Sequence, residues 1–392
     1  MPDLLIASLM GLLVLLASIA SVELGISVAL IEITLGVLAG NILGLHTTPW
    51  IDFLAAFGSI VLTFLAGAEV DRDLLREKLK ESLLIGGLSF VIPFVLVWFV
   101  AYRFLGWEWR AAQIAGVALS TTSLAVVYAV LVETGLTDTA LGKLIMASTF
   151  VTDFGTAAAL SALFIQPTVW IIPFIAVSMG VIVIMVRLQP WFFNRYGSRV
   201  IEPEIKGAFA ALLVLMFFAE RAAAHAVLPV FVLGLAVSHI FAVHRTTQQR
   251  FRVVAFALLT PFFFIKAGLN VSLGAVAANL GLLAILFALK MAAKVAGVYP
   301  LARRFVPQEA MYTTLLMSTG LTFGTISSLF GLQAGIITRP QFSVLVTTVV
   351  LTAVIPTIIA QRWLEPRYLL NGREAALSPR RATSSAPAAG AD

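Results

Sequence analysis

Ala118-Leu-Ser-Thr-Thr-Ser-Leu124 is a run of hydroxyl side chains inside an otherwise apolar segment, and Met317-Ser-Thr-Gly-Leu-Thr-Phe-Gly-Thr-Ile-Ser-Ser328 repeats the pattern in the second half of the chain. Each is preceded and followed by another long apolar segment. At bilayer depth, runs of Ser, Thr and Gly let a helix unwind. The freed carbonyls and amides are tolerated only where they are buried in protein or line a cavity. One such run alone is equally well explained by small residues that let helices pack closely. Two at corresponding places in two halves point to a transporter built from inverted repeats.

The rest of the chain supports a membrane setting. Its 392 residues are 60% hydrophobic and 12% charged, with a mean hydropathy of +1.00. A soluble domain is nearer half apolar and a quarter charged, so the sequence reads as an all-α polytopic membrane protein. At about 20 apolar residues per span, thirteen segments can be drawn: 3–20, 26–45, 50–70, 82–105, 110–132, 140–165, 168–187, 206–224, 227–242, 252–268, 274–302, 309–331 and 341–361. The gap Asp71-Arg-Asp-Leu-Leu-Arg-Glu-Lys-Leu-Lys-Glu81 is the clearest of the charged loops between them. Met-Pro-Asp at the start has no basic region, so Leu4 to Ala20 is expected to be the first membrane helix and not a signal peptide. Residues 1–367 then form the membrane domain, and 368–392, rich in Ala, Ser, Pro and Arg, read as a disordered cytoplasmic tail.

Charge fixes the expected orientation and excludes some functions. With the N-terminus outside, inside loops and helix ends hold nineteen Lys and Arg residues and outside positions hold four, Arg103, Arg110, Arg221 and Arg339. That bias favours N-terminus out and C-terminus cytoplasmic, in the plasma (inner) membrane, and an odd number of spans agrees with it. The net charge of +6 is thereby explained by topology, and no nucleic-acid partner is expected. There is no cysteine, and the four histidines have no paired spacing, so neither a thiolate nor a zinc site is expected and no cofactor is implied.

Ala147-Ser-Thr-Phe-Val-Thr-Asp-Phe-Gly-Thr156 places Asp153 near the middle of the sixth segment. An ionisable group at that depth costs on the order of 3 kcal/mol by insertion scales, so it must be paired, face a cavity or carry a function. A carboxylate satisfied by neighbouring hydroxyls and serving only to hold helices together is the competing explanation. The arithmetic of segments pairs segments four to six (about 82–165) with eleven to thirteen (about 274–361), and leaves 168–187 as a linker. Inverted topology would then set the two broken helices across each other, flanked by Asp153 on one side and Lys290 and Lys294 on the other.

The residues that carry a resemblance come in order: Leu35-Gly-Val-Leu-Ala-Gly-Asn-Ile-Leu-Gly44, Phe57-Gly-Ser-Ile-Val-Leu-Thr-Phe-Leu-Ala-Gly-Ala-Glu69, Ala118-Leu-Ser-Thr-Thr-Ser-Leu-Ala-Val-Val127, Ser148-Thr-Phe-Val-Thr-Asp-Phe154, Thr260-Pro-Phe-Phe-Phe-Ile-Lys-Ala-Gly-Leu269, Lys294 nine residues before Arg303, and Ser318-Thr-Gly-Leu-Thr322. From about Ile31 to Gln361 the chain resembles the monovalent cation:proton antiporters of the Kef and NapA type. The resemblance implies an NhaA-like inverted-repeat fold with thirteen membrane helices and two crossed discontinuous ones. It also implies elevator-type movement of a core against dimerisation helices (about 3–70 and 206–268), and a homodimer. It places the ion- and proton-binding carboxylate on Asp153, the unwound motif on Thr121, Thr122 and Ser123, and the core lysine on Lys294, with Lys290 as the alternative. The second discontinuous helix carries Ser318, Thr319 and Gly320 where many relatives have charged residues, and this leaves the choice between Na⁺ and K⁺ open. Thr152 stands where electrogenic relatives carry a second Asp, so the site has one acid and a one-for-one, electroneutral exchange is expected.

The chemistry of such a site is competition. Burial disfavours the charged form of a carboxylate and a nearby ammonium favours it, so an acid beside a lysine can titrate near physiological pH. A proton and the transported metal ion, Na⁺ or K⁺, would compete for the oxygens of Asp153, with Thr152, Thr122 and Ser123 as further ligands and Lys294 as the ion-pair partner. Glu32, inside the second segment, is an accessory candidate for the ion path. Glu69 is expected to be structural, snorkelling near the outer surface explains Lys266 as well as a function does, and His225, His239 and His244 are expected to be loop or packing residues. A cation-coupled organic-anion symporter on the same fold is one rival and would need a cationic cluster at depth. A cation channel is another and would need repeated filter motifs. No enzymatic activity is expected. No soluble nucleotide-binding domain follows the thirteenth segment, so direct regulation by nucleotide is not expected.

Overall fold

A computed structural model describes residues 3–24, 27–70, 78–137, 139–164, 168–197, 199, 201–222, 224, 226–364 and 366. The loop residues 71–77, His225 and the tail 368–392 lie outside the described residues. The described chain is helical, and no strand occurs among the described residues. The first helices are α1 (Asp3–Leu24), α2 (Val28–Ile42), α3 (Pro49–Ala68) and α4 (Leu79–Arg103). A broken pair follows, α5 (Trp109–Ser120) and α6 (Leu124–Glu133), and then α7 (Ala140–Leu163), α8 (Ile171–Tyr196), α9 (Pro203–Arg221) and α10 (Val227–Val243). The last third comprises α11 (Arg245–Val254), α12 (Thr260–Leu269), α13 (Leu273–Ala278), α14 (Leu280–Phe305), the broken pair α15 (Ala310–Met317) and α16 (Thr322–Gln333), and α17 (Arg339–Trp363).

Every expected apolar segment coincides with helix, yet the elements differ in how they meet the bilayer. Among the described residues ten spans are long and apolar enough to cross, and Val28–Ile42 and Val227–Phe241 are apolar but shorter. The helix α9 falls in neither group because Glu204, Lys206, Glu220 and Arg221 lie at its ends. Two boundaries are corrected. The tenth segment starts at Arg245, not at residue 252, because α11 is a polar, one-sided helix invisible to a hydropathy window. It joins α12 through a π-turn, Ala255–Leu259. Pro261 at the start of α12 lacks an N–H, and its ring would crowd the carbonyl four residues earlier, which the wider turn relieves. The eleventh segment is not continuous either: α13 ends at Asn279, whose Nδ2 donates to the Ala275 carbonyl (2.8 Å), and α14 begins at once.

Two packed groups frame the site. In one, α4 lies against α5, α7 and α14, and α14 lies against α15 and α17. In the other, α2 packs on α12 and α3 on α10. These last pairs touch backbone to backbone. A Cβ on Gly268 would meet the Ile33 carbonyl and come within 2.8 Å of Val37 N, while one on Gly67 would meet the Phe231 carbonyl and one on Gly234 the Phe64 carbonyl. Only glycine permits that approach, and close helix contact is what holds membrane helices together when lipid is as apolar as their side chains. The rigid frame therefore consists of α2–α12 and α3–α10.

Of the two readings open for Lys266, the structure disfavours snorkelling. Its ammonium does not snorkel: it is buried on α12 and donates to Asp52 Oδ1 at 2.7 Å, at the N-terminal end of α3. Losing one partner leaves the other charge buried and unpaired. Because Asp52 is half exposed, solvent screening discounts the effect, and Asp52→Asn is expected to destabilise the protein by about 1 kcal/mol. Adding Lys266→Met to Asp52→Asn should restore thermal stability in detergent toward wild type. A double variant no more stable than Asp52→Asn alone would contradict the pairing.

Candidate functional site

The helix α7 begins with Thr139, whose Oγ1 accepts from Gly142 N at 3.1 Å. From there it runs unbroken past Asp153, so the carboxylate is held by regular backbone and not by a loop. Asp153 is 1% exposed, and its Oδ1 has no hydrogen-bond partner. A buried polar atom left unpaired is rare and calls for an explanation. The explanation here is the cavity of about 500 Å³ that Asp153 lines together with Leu62, Ala66, Leu124, Tyr128 and Phe323. Glu69 and Arg252 line it as well, and they form an ion pair of 3.3 Å. Ion pairing makes Glu69 more than the cap of α3.

The two helix breaks meet beside this carboxylate. Thr121, Thr122 and Ser123 carry no helical hydrogen-bond pattern and are fully buried, as are Ser318 and Thr319. Thr122 Oγ1 donates to the Met317 carbonyl at 2.8 Å, and Ser123 N donates to Thr319 Oγ1 at 3.3 Å. Each break thus satisfies the backbone groups freed by the other, which is the requirement for unwound backbone at membrane depth. Thr121 Oγ1 turns back to the Ala118 carbonyl (3.1 Å) and Ser318 Oγ to the Thr314 carbonyl (2.6 Å). Gly320 leaves room for a neighbour: a Cβ there would collide with Lys290 Nζ and sit 3.1 Å from Thr121 Oγ1.

Both lysines of α14 are fully buried, and each serves a different break. Lys294 Nζ donates to Ser89 Oγ (2.9 Å) and Thr122 Oγ1 (3.1 Å), whereas Lys290 Nζ donates to Thr352 Oγ1 (2.9 Å) beside Gly320. Lys294 and Asp153 make no ion pair of 4.0 Å or less. The ion pairs among the described residues are Arg250–Glu202, Arg252–Glu69 and Lys266–Asp52. The hydroxyls of Ser89 and Thr122 hold the Lys294 ammonium while Asp153 turns to the cavity, although the two charges remain within electrostatic reach. Thr152 is the outlier among the expected ligands. Its Oγ1 donates to the Ser148 carbonyl (3.0 Å) and lies 3.3 Å from the Gly86 carbonyl, so it faces α4 and not the cavity. Glu32 is 2% exposed with Oε2 unpartnered. It does not line the Asp153 cavity, but Ser27 and Val28, about one turn before it, do.

Sequence reasoning passed over Ser89 and Thr352, the lysines' partners. The signal was present in principle, as lone hydroxyls in apolar helices, but such residues more often bond their own backbone.

A buried acid open to a cavity, two facing helix breaks and buried lysines in an all-helical membrane frame define a secondary transporter of the ion-coupled kind. The chain belongs to the sodium/hydrogen exchanger family: the transmembrane model of that family matches residues 6–365. It is 26% identical over 355 residues to the "Probable Na(+)/H(+) antiporter 3" of Methanocaldococcus jannaschii, covering 86% of this chain and 89% of that protein. It is also 28% identical over 332 residues to the "Na(+)/H(+) antiporter NhaS4" of Synechocystis sp., covering 79% and 81%. Among solved structures, the sodium proton antiporter MjNhaP1 from Methanocaldococcus jannaschii at pH 8 superposes with a TM-score of 0.69. That match is 14% identical and covers 91% of this chain and 97% of the other, a likeness of fold alone.

Proposed function

We propose that the protein exchanges a monovalent cation, Na⁺ or K⁺, for H⁺ across the plasma (inner) membrane, one for one and without net charge movement. The observation that carries this reading is Asp153: fully buried, with an unpartnered oxygen and open to a cavity. In that cavity the carboxylate takes either a proton or a hard cation, and the carbonyls and hydroxyls of Thr121, Thr122, Ser123, Ser318 and Thr319 are the nearby oxygens that complete a coordination shell. A bare carboxylate crossing the membrane would cost on the order of 3 kcal/mol or more, so only the neutralised site moves. That prohibition makes the exchange obligatory. Lys294 fixes Thr122 and sets the field around Asp153 through charge, not through a direct bond. Lys290 fills the gap at Gly320.

The reading extends to architecture. All thirteen segments cross, with the N-terminus outside and the C-terminus in the cytoplasm. The core (about 82–165 and 274–361) carries the site past the scaffold of about 3–70 and 206–268, and two copies pair. The glycine contacts of α2–α12 and α3–α10 suit such a scaffold because they make it stiff. An organic-anion symporter would need a free cation in the cavity. Arg252 is the cationic side chain lining it, and Glu69 already neutralises that charge.

The test is reconstitution in liposomes with a trapped pH dye, comparing pulses of Na⁺, Li⁺ and K⁺ with the membrane potential free and clamped. Cation-dependent proton release of equal rate under both conditions is expected. Flux without a proton response, or a rate that follows the clamp, would overturn the exchange or its electroneutrality respectively.

A further inference from the structure

A second cavity, of about 370 Å³, lies toward the other end of the same helices. Two helices line both spaces. On α3, Ile60 faces the second cavity and Leu62 the Asp153 cavity; on α16, Ile326 faces the second and Phe323 the first. At a rise of about 1.5 Å per residue, the wall between them is about 3–4.5 Å thick, less than one helical turn. Glu220 and Gln333 give the second cavity polar groups of its own, so each space can hold water.

Phe231 packs against that wall, between Phe323 of the first cavity and Val227 of the second. It is 1% exposed, one turn after Val227, which lines the second cavity. Its ring lies 6.3 Å from that of Phe323 and 6.2 Å from that of Phe154, the residue next to Asp153. Its backbone is pinned, since the Phe231 carbonyl is packed against Gly67 of α3. Phe231 therefore belongs to the stiff α3–α10 pair, while both partner rings sit on the helices that carry the site, α7 and α16. An apolar constriction of this kind stops ions and protons by excluding water, with no need for a charged gate.

We propose that Phe231 is the coupling residue of the exchanger: its ring keeps the Asp153 cavity from joining the second cavity, so that ions cross only on Asp153 and not through a continuous water path. The inference rests on the reading of Asp153 as the exchanging site, and it adds the element that turns a binding site into an obligatory exchanger. The identity of the ring matters because it is the bulk between Phe154 and Phe323; the helix contact at Gly67 is made by backbone and survives its truncation.

The test uses the full chain in liposomes with a trapped pH dye, an imposed pH gradient, choline as the sole cation, and thiocyanate as permeant anion to carry compensating charge. Wild type should hold the gradient as empty liposomes do. Phe231→Ala should dissipate it at least about tenfold faster, because a wetted gap replaces the dry one, and Phe231→Leu should fall between. The leucine variant keeps an apolar side chain at the contact and carries the test if the alanine variant does not assemble. Leak in either variant, with wild type tight, supports the proposal. Variants that reconstitute like wild type and hold the gradient equally well, or a wild type that leaks as fast as they do, would overturn it. Na⁺- or K⁺-driven exchange by wild type is measured in the same vesicles, so its absence would count against the exchanger reading separately from the leak.

Discussion

Asp153→Asn is expected to abolish cation-for-proton exchange, by at least about 100-fold, the scale on which removing a unique proton-carrying side chain acts. The substitution is nearly isosteric and removes both the titration and the negative charge. Because Oδ1 has no hydrogen-bond partner, no direct bond at that oxygen is lost, and the variant should still fold and elute as wild type does. Two neighbouring substitutions give smaller effects of a different kind. Thr152→Val leaves the cavity wall intact, since the Thr152 hydroxyl already serves the Ser148 carbonyl, and should retain most of the activity. Ser89→Ala removes one of the two hydroxyls that hold Lys294 and should weaken exchange without ending it. Initial rates of dye response in liposomes with matched protein content check all three. Exchange persisting undiminished in Asp153→Asn would sink the assignment of the site.

The second large effect is on assembly. Gly268→Leu puts a side chain where a Cβ alone would already meet the Ile33 carbonyl and come within 2.9 Å of Gly36 Cα. Backbone cannot turn aside as a side chain can, so α2 and α12 must separate along their whole contact. Overpacking of a well-fitted core costs about 1–3 kcal/mol, and a collision with backbone on a rigid helix belongs at or above the top of that range. The expected result is a loss of monodisperse protein in detergent, or a melting temperature well below that of wild type. Gly274→Leu is the control, because a Cβ there meets nothing closer than Ser272 Oγ at 4.0 Å. Equal stability of Gly268→Leu and the control would contradict the picture of a stiff scaffold.

The features read correctly from sequence share a physical cause. Helix breaks at Thr121–Ser123 and Ser318–Leu321 were legible because two Ser, Thr and Gly runs recur at corresponding places in the two halves, which close packing alone does not require. The intramembrane acid at Asp153 was legible because its cost is so high. What was not legible depended on partners from distant parts of the chain. Snorkelling and function explain Lys266 equally well from its local position, because its partner Asp52 comes from another helix. The same holds for the lysines: the family resemblance favours Lys294 over Lys290, but the division of labour between them depends on Ser89 and Thr352. Thr152 illustrates the limit of adjacency: it is turned about 100° from Asp153 on α7, and its hydroxyl meets the Ser148 and Gly86 carbonyls instead of the cavity. The start of α11 was missed for a different reason. Its charged residues lower the mean hydropathy, and two of them are held by partners elsewhere in the chain, Arg250 by Glu202 and Arg252 by Glu69.

Exchange of this kind requires that a proton and a cation compete for the same carboxylate. The most direct measurement is the apparent KM for Na⁺ or K⁺ in liposomes as a function of pH on the cation-loading side. Competition at Asp153 predicts that KM rises as pH falls, approaching about tenfold per pH unit once the carboxyl is mostly protonated, while the maximal rate at saturating cation stays constant. A KM that does not change with pH, with the maximal rate falling instead, would mean that proton and cation bind at different groups and would contradict the claim.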